Sequence, residues 1–434
     1  MGSENDLPVD VAGNIERVAD PFSVFLAVHR RNLPPTRGKR FNSGEHVWLG
    51  GAGAERAREE VQQALGVPLR DDLFTSIRRR VAREELQYGE IVALSGDFYE
   101  SPEALFEEKP AALPWFSGQA NISGLRDVFN EELRWIEDSQ HGRAKVSYPE
   151  DNIRMAWSAK SYVELALRNV DHFGWHNMRA YVRHHGEALR LAAAARGQDD
   201  ETFRRALYTN AFADHFLTDG FAAGHIRVPR AEILAWAERN GLNDKVAGAL
   251  SKVLHDQDGH VDVRCLHGVD DENARSPDDG LGVQDSTSTK WFARCDGQLF
   301  LQSPGSVAVD RAVAAVTASV GELLFAWLRG EQPRTLFEAT RYVPFPRPDL
   351  PSLSEKFSAS MLGAERDMLW RSVAWYSKIP WISGLSRRHL DDLLEALPDL
   401  MKNFREQVAA DVVREPESIA RIAPPYVAAY ACLA

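Results

Sequence analysis

The stretch NAFADHFLTDGFAAGH carries His215, Asp219 and His225 in a His-x3-Asp-x5-His array. Residues four apart share a helix face, so His215 and Asp219 can present one nitrogen and one carboxylate to a single metal ion. Six further residues make about 1.7 turns, which puts His225 on roughly the opposite side of an unbroken helix. It then serves a second ion, or reaches the first across a break near Gly220 or Gly224. Phe212, Phe216, Leu217 and Phe221 make the surroundings apolar, and a buried His or Asp there needs a partner. The spacing suits equally a buried helix whose polar residues bond one another, and the array alone does not choose.

Nine of the 13 histidines fall between residues 172 and 267. A solvated surface gives no reason for such clustering, whereas a multi-metal site does. His255 and Asp258 in LHDQDGH lie three apart and can share a helix face, with Asp256 beside them; the alternative is a solvated acidic turn at a helix end. In NVDHFGWHN, His172 and His176 are rival ligand candidates. His184 and His185 read more readily as an exposed pair on the next helix. Asp97 in ALSGDFY closes an apolar run, as a ligand or as a plain cap. His46 in GEHVWLG stands near the start of another apolar run and carries no message alone.

Helices must position these residues. Apolar periodicity near 3.6 predicts them over Ala54 to Leu65, Leu73 to Val92, Ser161 to Asn169, Asn177 to Arg196, Asp200 to Phe221, Arg230 to Asn240, Asp244 to His255 and Ser306 to Leu328. Asp200 and Asn243 are placed as N-caps. Strand alternation is confined to Val261 to Leu266 and Trp291 to Leu301, a small hairpin, with a surface loop over Asp270 to Thr289. Prolines at 333, 344, 346, 348 and 351 break the chain, and helices resume over Leu353 to Trp375 and Leu390 to Val413. The expected organisation is an N-terminal segment (1–39), a mainly α catalytic domain with a β-hairpin and loop insertion (40–332), and a helical C-terminal extension (333–434).

The net charge of −12 argues against a broad nucleic-acid-binding face and for a small or neutral ligand or a local basic pocket. Three scattered cysteines suggest neither a disulfide framework nor a thiolate zinc site, so a metal would rest on His and carboxylate. The acidic N-terminus lacks an apolar signal region, and no uninterrupted apolar run approaches membrane-spanning length. The expected location is the cytoplasm, or outside by a route without a cleaved signal. Trp370, Trp375 and Trp381 either meet a lipid surface or belong to the core. No Glu-x-x-His, His-Glu-x-x-His, Walker loop, nucleophile elbow or dinucleotide fingerprint is present.

In sequence order, these residues resemble the zinc-dependent phospholipase C and single-strand nuclease superfamily. The His-x3-Asp-x5-His spacing is the specific part. GEIVALSGDFY, DHFGWH, NAFADHFLTDGFAAGHIRVPR and LHDQDG look most similar to a branch of signal-less bacterial metallophospholipases C. The resemblance spans about residues 40 to 330. It implies a multi-helix fold with two or three zinc ions in a cleft, held by His46, Asp97, His172, His215, Asp219, His225, His255 and Asp258. Asp219 would bridge two ions, and Asp97 would also orient or deprotonate the attacking water. His215 and His172 would complete the first ion, His225, His255 and Asp258 would hold another, and His46 would serve the third. Asp256 remains an alternative to Asp258. Arg227 and Arg230 either neutralise a substrate phosphate or are solvated charges.

The family's processed N-terminal Trp ligand has no counterpart here, so a third ion would use another ligand, bind weakly or be absent. The implied reaction is hydrolysis of a phosphatidylcholine-like phospholipid to diacylglycerol and a phosphorylated headgroup, with peripheral membrane contact and no stable nucleic-acid partner. The alternatives are a single-strand nuclease or nucleotidase of the same superfamily, and a non-catalytic protein stabilised by its metal.

Overall fold

Ser43–Leu65 form the first helix among the described residues (α1) in a computed structural model of the chain. The structure describes residues 43–108, 120–140, 155, 159, 161–198, 200–258, 280–295, 299–301, 306–332, 336–358, 361, 363–373, 378 and 383–433. Periodicity predicts α1 only from residue 54, because glycines at 50, 51 and 53 each cost about 1 kcal/mol of helix propensity. Packing reverses that penalty. A Cβ on Gly53 would stand 2.5 Å from the Val316 side chain, so the missing side chain is what lets the helices close. The first turn of α1 is tied down: Gly44 donates its N–H to Glu132 at 2.6 Å, and Glu45 accepts from the Leu299 N–H at 3.0 Å.

The helix predicted over 73–92 is mostly absent. The segment forms a turn, a two-stranded hairpin of Ile77–Arg78 (β1) and Glu85–Leu86 (β2), and a short helix, Tyr88–Leu94 (α2). Arg83 has a φ of 58°, which no helix tolerates. Buried Arg79 pairs with Glu108 at 2.8 Å and donates to the Leu105 carbonyl, so its charge is satisfied across the fold rather than along a helix. A Gln87–Glu90 capping box restarts the helix.

Then follow Pro102–Glu107 (α3), Ile122–Gln140 (α4), Ser161–Arg168 (α5), a 3-10 turn at Val170–His172, Gly174–Ala195 (α6), Glu201–Asp219 (α7), Ala223–Arg227 (α8), Arg230–Arg239 (α9) and Asp244–Asp258 (α10). Asp200 accepts from the Phe203 N–H at 2.9 Å and Asn243 from the Val246 N–H at 3.0 Å, the two caps expected from sequence. The strand predicted at 261–266 lies outside the described residues, as do His260 and His267. The hairpin is instead Leu281–Gln284 (β3) against Lys290–Ala293 (β4), with Val283 opposite Trp291, and Phe345–Pro346 (β5) on the other edge of β3. The predicted loop to residue 289 therefore contains a strand whose Leu281 and Val283 are buried, and the strand predicted over 291–301 ends at Ala293.

Val307–Arg329 (α11), Leu353–Lys356 (α12), Gly363–Ser372 (α13), Arg387–Arg414 (α14), Pro416–Ile419 (α15) and Pro424–Cys432 (α16) complete the order. The helix predicted over 353–375 is split, its first piece ending at Lys356. The chain is mainly α, as its periodicity implies. One apolar core joins α1, α2, α4, α6, α7 and α11 with Tyr426 and Tyr430 of α16. A second gathers Phe173, Ile233 and Leu254 with Leu353, Leu394 and Met401, so helices beyond residue 332 fill both cores. Trp370 packs on the second core with the Lys378 ammonium 4.5 Å from its ring, whereas Trp375 and Trp381 lie outside the described residues.

A buried polar network fixes the roll of α7. Asp214 accepts from Tyr88 Oη at 2.8 Å and Ser319 Oγ at 2.5 Å, and Asn210 bonds His185 Nδ1 at 2.7 Å. His185 Nε2 meets Glu322 at 2.8 Å, so His185 is a fully buried core residue and not half of an exposed pair. Its neighbour His184 stacks on Phe216, and burial pushes its pKa down to about 4. Burial pushes the Asp214 carboxyl up to about 7, against the pull of Ser319 and Tyr88. Asp214→Ala leaves several buried donors unanswered and should cost about 3 kcal/mol in urea unfolding, whereas Asp214→Asn keeps most of the bonds and should cost less than half of that.

Candidate metal centre

Helix α7 delivers His215 and Asp219 on one face and ends at Asp219. Ala222 is extended (φ −88°, ψ 130°), and α8 then turns His225 back toward the same centre. The break near Gly220 thus brings the whole array to one place. His225 Nδ1 stands 4.0 Å from Asp219 Oδ2, and His215 Nε2 3.6 Å from it. The 3-10 turn before α6 adds His172, whose Nδ1 lies 2.7 Å from Asp219 Oδ2. The first turn of α1 adds His46, with Nε2 3.3 Å from Asp219 Oδ1. Asp97 enters from the loop after α2. The potential donor atoms of His46, Asp97 and His215 lie within 4.8 Å of one another, and so do those of His172, His215 and Asp219.

Orientation separates this cluster from a set of ordinary core histidines. Four imidazoles have Nδ1 against an acceptor: His46 on Thr218 Oγ1 (2.7 Å), His215 on the Val92 carbonyl (3.1 Å), His225 on the His172 carbonyl (2.8 Å) and His255 on Asp256 (3.0 Å). Thr218 can accept because its own proton goes to the Asp214 and His215 carbonyls. A donated Nδ1–H leaves Nε2 with its lone pair, the arrangement metal-bound histidines use. Two glycines make room. Gly96 has a φ of 70°, and a Cβ there would meet His215 Nε2 at 2.6 Å and His172 Cε1 at 2.9 Å. A Cβ on Gly224 would collide with the His255 ring.

His255, on α10, has its ring 4.9 Å from that of His225, with Phe173 stacked on His225 at 4.7 Å. Asp258 does not join them. Its carboxylate takes a bidentate pair from Arg227, at 2.8 and 2.7 Å, and a third contact from Lys356 at 3.2 Å. The i,i+3 spacing did set Asp258 near His255, but two buried cations claim both oxygens. Asp256 is the acid that touches His255, supporting its outer nitrogen. Neither Arg227 nor Arg230 is solvated: Arg230 is buried, donates to the Ala166 carbonyl and lies 4.9 Å over the Phe173 ring. The rival His176 faces Glu232 at 3.9 Å.

The two carboxylates of the cluster are driven apart. Burial would raise Asp219, yet His225, His215 and His172 hold it well below the ordinary carboxylate range. Burial dominates at Asp97 and pushes it up to about 6, with His172 opposing. Burial holds His215 well below its usual value. At His46 burial acts downward, but the Asp219 bond and the charges of Asp97 and Glu45 outweigh it and the pKa is raised. Buried imidazole nitrogens and carboxylate oxygens gathered within 4.8 Å of one another fit a divalent transition-metal ion. A small pocket adjoins the cluster, with His46, Asp219, Leu49, Phe221, Leu299 and Arg294 in its wall. Sequence reading missed Thr218 and Arg294; the Gly-Asp step at 96–97 was visible, but not the ring contacts that require Gly96.

Gly96→Ala should lower metal stoichiometry, read by elemental analysis, while circular dichroism stays that of wild type. Retained metal in this variant would remove the cradle from the account. Metal binding must expel the proton from Asp97, so affinity should fall as pH drops through about 6. The raised pKa of His46 adds proton competition above the ordinary imidazole value. Competitive chelator titrations from pH 5 to 8 measure both effects.

Comparisons with protein-family models, with curated proteins and with solved structures find no match for this chain.

Proposed function

We propose that the chain is a metal-dependent phosphodiester hydrolase of the zinc phospholipase C type, acting on a phosphatidylcholine-like phospholipid. The observation that carries this reading is the set of imidazoles gathered at Asp219, those of His46, His172, His215 and His225, with Asp97 and His255 beside them, in the chain order His46, Asp97, His172, His215, Asp219, His225, His255. His172, His215, Asp97 and Asp219 would hold one zinc ion, His225 and His255 another, with His46 beside Asp219. Bound zinc supplies a water of lowered pKa and a clamp for phosphoryl oxygens.

The chain's own residues do the rest. Asp219 turns one oxygen toward His46 and the other toward His172, the posture of a bridging carboxylate. Asp97, at the edge of the cluster after α2, would orient the attacking water. Phe173 and Phe216 wall the cluster from solvent and strengthen its electrostatics. Leu49, Phe221 and Leu299 give the adjoining pocket an apolar side.

Asp219→Asn should lose metal and lower phosphatidylcholine hydrolysis by a factor on the order of 100 or more. The assay pairs metal content with turnover of phosphatidylcholine and single-stranded DNA, for wild type and variant. Full metal and full activity in the variant would sink the site assignment. DNA cleavage without lipid turnover would move the reading to the nuclease branch, and metal-dependent folding with no diesterase activity to a structural role.

A further inference from the structure

We propose that Lys356, in the segment beyond residue 332, is a positioning residue for the His225 and His255 pair: with Arg227 it turns Asp258 from a metal ligand into the pin that holds α8 against α10. The role rests on the metal-binding part of the proposed function and deepens it by naming what holds its second half. Asp258 is fully buried. A carboxylate so placed is tolerated only where cations and donors replace its hydration. Arg227 donates Nε to Oδ2 at 2.8 Å and Nη2 to Oδ1 at 2.7 Å, and Lys356 Nζ donates to Oδ1 at 3.2 Å. Arg227 Nη1 donates to the Pro351 carbonyl at 2.7 Å. The segment beyond residue 332 therefore grips both members of the pair, Asp258 through Lys356 and Arg227 through Pro351.

Lys356 reaches further than the carboxylate. Its ammonium also donates to the Gln257 carbonyl at 3.1 Å and the Asp258 carbonyl at 2.8 Å, which with Oδ1 takes up all three of its donors. Those carbonyls belong to the last turn of α10, where a helix has no donors of its own to offer them and its dipole favours a cation. Lys356 thus caps the same turn that carries His255. The lysine is itself held in place: a Ser352–Glu355 capping box starts α12, and Leu353 and Phe357 are fully buried in the second core. On the other helix, Arg227 lies two residues after His225. Gly224, one residue before it, packs so closely on the His255 ring that a Cβ would stand 2.3 Å from Cδ2. The two imidazoles, 4.9 Å apart between ring centres, are therefore spaced by a close backbone approach at Gly224 and by the Arg227–Asp258–Lys356 pin beyond it. Removing the outer cation frees the end of α10 and with it His255, whereas His172, His215 and Asp219 stand on other elements.

The test uses full-length protein and zinc itself as the probe. Competitive chelator titrations give the affinity of each bound ion in wild type, Lys356→Met and Lys356→Arg, and the ion lost in His255→Gln identifies the second site. Methionine fills much of the volume of lysine and leaves Asp258 paired one-to-one with Arg227; circular dichroism of the metal-free protein checks the fold. Lys356→Met should weaken the second ion roughly 10- to 100-fold, the usual cost of losing a group behind a ligand, with the first ion unchanged. Lys356→Arg, which keeps the charge, should recover part of that loss. Second-site affinity within twofold of wild type in Lys356→Met overturns the proposal. So does equal weakening of both ions, which would make Lys356 a residue of general stability, and so does a protein that takes up fewer than two ions. Lys356→Gln goes through the same measurements and decides by the same criteria if Lys356→Met does not fold. Lys356-dependent zinc binding in a protein that cleaves no diester would leave the positioning role standing and remove the hydrolase reading. Diester cleavage with both affinities indifferent to Lys356 would do the reverse.

Discussion

A buried carboxylate dictates the construction of this molecule. Asp219 has almost no contact with water, and removing an isolated carboxylate from water costs several kcal/mol unless opposite charges and donors replace the lost hydration. The replacement comes from separate parts of the chain: His46 from the first turn of α1, His172 from a 3-10 turn, and His215 and His225 on either side of the end of α7. Each source is itself fixed. Glu132 and Glu45 hold the start of α1, the Val92 carbonyl holds His215, and the His172 carbonyl holds His225. The centre is thus the place where α1, the loop after α2, α7 and α8 converge.

Much of this was legible because it is local. The i,i+4 relation of His215 and Asp219, the caps at Asp200 and Asn243, and the helical character of most of the chain follow from periods that a sequence displays directly. The rest depends on partners distant in sequence. The first half of α1 is rich in glycine and reads as a weak helix; only the close approach of Val316 turns those glycines into an advantage. The stretch 73–92 has an apolar pattern that suits a helix, yet Arg79 finds its partners in Leu105 and Glu108, and Arg83 turns the chain back. His185 looked like a surface residue because nothing in its neighbourhood of sequence announces Asn210 or Glu322.

Asp258 shows the same limit at the candidate site. Helical spacing correctly predicts that it lies near His255, but nearness does not decide what a carboxylate binds. Arg227 offers two aligned N–H donors and Lys356 a second charge, and together they occupy the oxygens that a metal would need. The His225 and His255 pair therefore has no carboxylate from Asp258, and Asp256 serves His255 from behind.

What Asp258 does instead explains why the C-terminal helices matter to the centre. Arg227 lies two residues after His225 and Asp258 three after His255, so their bidentate pair bolts together the ends of the two helices that carry those histidines. Lys356 of α12 closes the bolt and also donates to the Gln257 and Asp258 carbonyls. Arg227 in turn donates to the Pro351 carbonyl, and Tyr430 of α16 donates to the Ile226 carbonyl. Asp411 of α14 accepts from the Trp175 indole at 2.9 Å, at the start of the helix that follows His172. These contacts run from the segment beyond residue 332 to residues within three positions of His172, His225 and His255. That segment is the outer wall against which three of the imidazoles are set, and its helices fill the same cores as the helices bearing them.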